Sequence, residues 1–327
     1  MADYINIRGQ SIEVVASDPA NPTQGQIWYN TTSNTLKGGG VTTAGAWATG
    51  NSMNTVKQEM GGAGTQTAGL AFGGYTIPPA TNTTATEEYD GNSWTNSNSM
   101  NTARRTLAGA GTQTAALGFG GYTTAITGAT EEYDGNSWSS GNNMITSRRQ
   151  LAGAGLQTAA LAFGGGNLPI TAATEEYDGN SWTSGNNLNT ARQVLGGCGT
   201  QTAGLAFGGE TTVRTGATEE YDGISWASNP TGLNTVRSYL TGAGIQTAAL
   251  AFGGETPPAT TATEEYDGST WTTSPGSLNT ARYQLSGIGT QTSALAFGGN
   301  NGITGPIAAT EEWTGAGSPL TVTITAS

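Results

Sequence analysis

The sequence predicts an all-β protein, a six-bladed β-propeller with four antiparallel strands per blade, and three observations predict it. A block of 44 to 47 residues recurs six times, marked by Phe72, Phe119, Phe163, Phe207, Phe252 and Phe297, each the start of an F-G-G triplet. Within each block lie four short runs separated by Gly, Thr, Asn and Asp, with none of the three-to-four apolar spacing of a helical repeat. The two ends of the repeated region are complementary, which a ring requires.

The second block shows the runs. They fall at 107–112, 115–121, 129–134 and 137–140. Third runs carry Glu-Glu-Tyr-Asp, with Tyr89, Tyr133, Tyr177, Tyr221 and Tyr266 before the turn and Trp313 in the sixth place. Fourth runs open on Trp94, Trp138, Trp182, Trp226 and Trp271. Trp47 opens a fourth-run motif with no first three runs before it, and the sixth block has no fourth-run tryptophan after Trp313. The strand at Trp47 is therefore expected to complete the last blade, which removes two exposed sheet edges. One Phe and one Trp per blade are expected to form the contacts between blades, packed on Ala, Gly and Thr small enough for sheets to approach closely.

These residues resemble the kelch repeat over roughly residues 45–314. The marks are a double glycine such as Gly120-Gly121, a Tyr-Asp such as Tyr133-Asp134, a Trp such as Trp138, and a Met-to-Arg stretch from Met144 to Arg148. The interval from base to first glycine is 16 in all six blocks, as from Arg104 to Gly120. Two departures stand out: a short Tyr-to-Trp spacing, and a first strand built of Gly and Ala where the family tends to be aliphatic. They leave the fold expectation standing but carry over no binding residue.

Charge is distributed by repeat. The chain has net charge −12, with 17 of its 23 acidic residues in third runs or their turns. Six of its 11 basic residues are the per-blade Lys57, Arg104, Arg148, Arg192, Arg237 and Arg282. A repeated internal ion pair is expected, to the glutamate two before the aromatic: Glu87, Glu131, Glu175, Glu219, Glu264 and Glu311. The family resemblance favours the same glutamate. The negative balance disfavours nucleic acid as a partner, since phosphates are repelled. No run approaches the ~20 apolar residues of a membrane span, so membrane insertion is not expected. The N-terminal residues lack the layout of a secretion signal.

Chemistry is not expected. The chain contains no histidine, which rules out a histidine-activated nucleophile and a histidine metal ligand. Adjacent glutamates on a strand point to opposite faces and cannot flank one bond. No metal and no cofactor are expected. The single cysteine, Cys198, stands where other blades have alanine and reads as a small buried apolar residue.

Three regions follow: an attachment segment at 1–40, the propeller at 41–315 and a strand-like tail at 316–327. The attachment segment contains G-Q-I-W-Y-N-T-T-S-N-T-L-K, a small hairpin that resembles short modules near the start of bacteriophage virion proteins, tail fibres and appendages above all. That resemblance implies a structural or adhesion protein on a tail or capsid surface, made in the host cytoplasm and joined to other virion proteins through residues 1–40. The connections between second and third strands vary most, so the candidate binding residues are Tyr75, Tyr122, Asn167, Glu210, Arg214, Glu255 and Asn300. Their expected target is a host surface glycan or protein, or a neighbouring virion protein. Alternative readings are a cellular bacterial kelch scaffold and a carbohydrate-binding or carbohydrate-active propeller.

Overall fold

A computed structural model describes residues 12–20, 22–42, 44–166, 169–317 and 319–324. It contains strands and turns and, among the described residues, no helix. The chain divides into two units, one of residues 46–314 and one of residues 1–45 with 315–327.

The larger unit is made of six four-stranded antiparallel sheets, an arrangement consistent with a β-propeller. In the second sheet the strands are Ala108–Thr112, Ala115–Phe119, Thr130–Tyr133 and Trp138–Gly141, hydrogen-bonded in chain order. The second strand stops at Phe119, two residues before the expected end, because Gly120 and Gly121 adopt φ of 65° and 107° and turn the chain out of the sheet. In the sixth sheet the fourth strand is Ala46–Gly50, whose Trp47 lies opposite Trp313 of Thr310–Thr314.

First strands are poor in side chains because neighbouring sheets meet there. A Cβ at Gly109 would sit 2.4 Å from the Gly62 carbonyl oxygen of the first sheet. Farther out, the aromatic side chains fill the space. Trp138 stacks on Tyr133 of its own sheet at 5.1 Å and on Phe72 of the first sheet at 4.9 Å, with tilted rings. Its indole N–H donates to Thr86 Oγ1 of that first sheet at 3.0 Å. The same set recurs in each sheet. Trp47 reaches Phe252 and Thr263, and Trp94 reaches Phe297 and Thr310. Cys198 is buried in one of these cores, where burial pushes its thiol up to about 12.

The smaller unit is a four-stranded sheet in the order Glu13–Val15, Ile27–Asn30, Thr35–Val41, Pro319–Thr323. The expected hairpin is its centre, and the expected C-terminal tail is its edge strand, paired antiparallel with Thr35–Val41. Its fixed point is Asp18, which accepts from the Trp28 indole at 2.9 Å and from Asn30 Nδ2 at 2.7 Å. Those hydrogen bonds hold the Asp18 carboxyl below its ordinary 3.8. Asn30 Oδ1 in turn accepts the backbone N–H of Thr32 and Ser33, closing the hairpin turn.

Candidate functional site

The repeated charges are spent inside the sheets. Arg192 and Glu219 are buried with Nη2 and Oε1 3.1 Å apart, and the equivalent pairs are Lys57–Glu87 at 3.4 Å, Arg104–Glu131 at 3.3 Å, Arg148–Glu175 at 3.2 Å, Arg237–Glu264 at 3.2 Å and Arg282–Glu311 at 2.7 Å. Arg192 also donates to the carbonyls of Gly208, Ala217 and Ala206. Each glutamate has a second task. Glu219 Oε2 accepts the backbone N–H of Asn189 at 2.6 Å, and Glu264 accepts those of Asn234 and Thr235. The carboxylate thus ties the connection that enters the sheet to the sheet's third strand. Burial pulls the guanidinium groups of Arg104, Arg148, Arg192 and Arg237 down to about 10, with the paired glutamate opposing it.

Two further repeated contacts link one sheet to another, and sequence reasoning missed both. The second glutamate in five of the six pairs accepts the next sheet's tyrosine hydroxyl: Glu88 from Tyr133 at 2.5 Å and Glu176 from Tyr221 at 2.5 Å, with Glu132–Tyr177, Glu220–Tyr266 and Glu312–Tyr89 alike. The glutamine of each Gln-Thr turn donates to two carbonyls of the preceding sheet, as Gln157 does to Ala116 at 3.0 Å and Tyr133 at 2.7 Å. The signal was present: a glutamine that never varies in an exposed turn needs a partner there.

What varies lies where the second-to-third-strand connections meet the residue that follows each buried base. Backbone bridges pair Gln58 with Tyr75, Arg105 with Tyr122, Arg149 with Gly166, Gln193 with Glu210, Ser238 with Glu255 and Tyr283 with Asn300. Several candidate binding residues satisfy one another. Arg214 pairs with Glu255 at 2.5 Å and donates to Ser238 Oγ at 3.0 Å. Glu210 accepts from Gln193 at 3.0 Å, and Asn300 donates to Gln58 at 2.8 Å. Asn167 lies outside the described residues.

The sector of Tyr75 and Tyr122 differs. Its cavity of about 420 Å³ is lined by Tyr75, Thr81, Asn82, Arg105, Tyr122 and Thr123, among others. The Arg105 guanidinium lies 4.3 Å from the Tyr75 ring centroid and 5.2 Å from that of Tyr122, and Arg149 lies 5.2 Å from Tyr122.

Next along each connection stands a residue in the left-handed region: Glu59, Thr106, Gln150, Val194, Tyr239 and Gln284, with φ between 50° and 58°. Each donates its N–H to the carbonyl of the previous one at 2.8 to 3.0 Å, and Glu59 donates to Gln284 at 2.9 Å. Their side chains line a second cavity of about 100 Å³. Burial raises the Glu59 carboxyl above its ordinary 4.5 against the opposing pull of Arg105, 3.4 Å away, and Arg149. Among the described residues no three His, Cys, Asp or Glu side chains are grouped as a metal site.

No family model and no curated protein matches the sequence. The chain is similar to the solved structure of YjhT, with a TM-score of 0.66, over 80% of this chain and 96% of that one. At 12% identity that likeness speaks for the fold alone, an all-β architecture of repeated four-stranded sheets.

Proposed function

We propose that the six sheets close into a six-bladed propeller of the kelch type, and that the chain is a non-enzymatic bacteriophage virion component that presents its variable loops outward. What supports the ring is the set of contacts between first and sixth sheets. Trp94 donates to Thr310, Gln66 to the carbonyls of Ala294 and Trp313, and Glu59 to Gln284, the same bonds that join every other neighbouring pair. The kelch assignment rests on the Gly-Gly, Tyr-Asp, Trp and base spacing of the repeats.

One observation carries the functional reading. The repeated ionisable groups are consumed by structural contacts, the base–glutamate pair within sheets and the tyrosine–glutamate bond between them. A repeat that spends its carboxylates on holding itself together, in a chain with no histidine, is a scaffold for loops. The phage-like segment around Trp28 then gives the scaffold an attachment role within a particle, on a tail fibre, an appendage or the capsid surface. Mass spectrometry of purified particles tests this: the chain is expected among the virion proteins, and its absence overturns the assignment.

A further inference from the structure

We infer that the sector of Tyr75, Arg105, Tyr122 and Arg149 is a binding site for an anionic saccharide. This deepens the host-surface reading and rests on it only for the choice of a saccharide as carrier of the anion. The protein is acidic overall, yet two arginines meet at the Tyr122 ring, Arg105 in the cavity lining and Arg149 beside Tyr122 but outside that lining. Of the ten described cations, nine lie within 4.0 Å of a carboxylate, and Arg149 is the exception. The equivalent residue in other blades is Gln58, Gln193, Ser238 or Tyr283, so blade architecture does not demand a base.

The surroundings present the guanidinium groups to a ligand. Tyrosine faces hold Arg105 and Arg149 by cation–π contact, which leaves planar N–H edges free to meet an oxyanion. Arg105 meets Glu59 through Nε, so that pair does not occupy its Nη groups. The cavity is preformed: Asn82 donates to the carbonyls of Tyr122 at 3.0 Å and Thr123 at 2.9 Å, locking one loop onto the next. Its volume of about 420 Å³ falls within the usual small-ligand range of about 300–1,000 Å³. Arginine forks suit a carboxylate or sulfate, while tyrosine faces with threonine and asparagine edges suit a hydroxylated ring.

Calorimetric titration of the full chain with oligogalacturonate, a sulfated galactan oligosaccharide and a neutral galacto-oligosaccharide of matched length tests the site. At least one acidic probe is expected to bind about tenfold or more tightly than the neutral one, and to weaken as salt rises. Arg149→Ala is expected to cut that affinity by about tenfold or more, and Arg149→Lys to restore part of it. Ile224→Ala, at an exposed turn residue that lines neither cavity, is expected to leave it unchanged. Arg149 has no carboxylate within 4.0 Å, so the melting temperature of its variants is expected to fall by no more than the loss of its Tyr122 contact and its longer-range pull on Glu59. Which acidic probe binds separates carboxylate from sulfate. Equal binding of the neutral probe, no effect of Arg149→Ala, or no binding of any probe at millimolar concentration overturns the site. Such a failure leaves the virion assignment to particle mass spectrometry, and absence from particles leaves the binding result intact.

Discussion

Tyr133 donates its hydroxyl hydrogen to Glu88 Oε1 of the preceding sheet at 2.5 Å. The bond explains why the third strand carries two glutamates. Alternation along the strand sends Glu87 inward to Lys57 and Glu88 outward to the neighbour's tyrosine. Glu265 lacks this bond because Trp313, in the tyrosine place of the next sheet, has no hydroxyl and donates instead to the Gln291 carbonyl.

This contrast sets a first test. Tyr133→Phe strands a half-buried carboxylate and is expected to cost about 1.5–3 kcal/mol, the range for a hydrogen bond to a charged group. Glu265→Gln, at an equally half-buried carboxylate that accepts no tyrosine hydroxyl, is expected to change stability by less than about 0.5 kcal/mol. Chemical denaturation of both variants checks the difference.

Arg192→Ala leaves Glu219 buried without its cation and is expected to destabilise by about 3–5 kcal/mol. Arg192→Lys is expected to cost less, since the first sheet already carries Lys57, which meets Glu87 at 3.4 Å and donates to the Ala85 carbonyl at 3.2 Å. Thermal melts of the two variants should separate clearly.

Thr106 holds φ of 54°, a conformation that β-branched residues resist and asparagine tolerates. Thr106→Asn is therefore expected to raise stability by about 1 kcal/mol, read as an upward shift in denaturation midpoint.

Acid stability depends on the turn aspartates. Backbone N–H groups of Ser93 and Asn92 hold Asp90 below its ordinary 3.8, and Asp134, Asp178, Asp222 and Asp267 are held down in the same way. A carboxyl whose folded pKa is depressed contributes stability above its unfolded value and loses it as pH falls through the folded one. Melting temperature is thus expected to fall as pH drops below about 4, and less steeply in Asp134→Asn. Glu59 works the other way. Its folded pKa is raised, so its contribution is complete below 4.5 and fades as pH rises through the folded value. In Glu59→Gln that fading is expected to vanish from the melting curve above pH 4.5.

Much of the local structure was legible because every repeat repeats its side-chain spacing. Strand ends were less so: the second strand closes at Phe119 because of backbone conformation at Gly120 and Gly121, which composition does not reveal. The Tyr–Glu and Gln–carbonyl bonds were not legible because each joins residues of different sheets, whose juxtaposition depends on how the sheets are stacked.

By itself the sequence determined the strand period and the small residues at the close approaches, since these follow from fixed spacing, and its one base against two glutamates per repeat pointed to an internal ion pair. Only the tertiary structure decided that Pro319–Thr323 joins the N-terminal hairpin, that Arg214 spends its charge on Glu255, and that Arg149 alone among the described cations has no carboxylate within 4.0 Å. Those outcomes rest on loops and termini distant in sequence, where the partner is chosen by proximity in space and no periodic pattern records the choice.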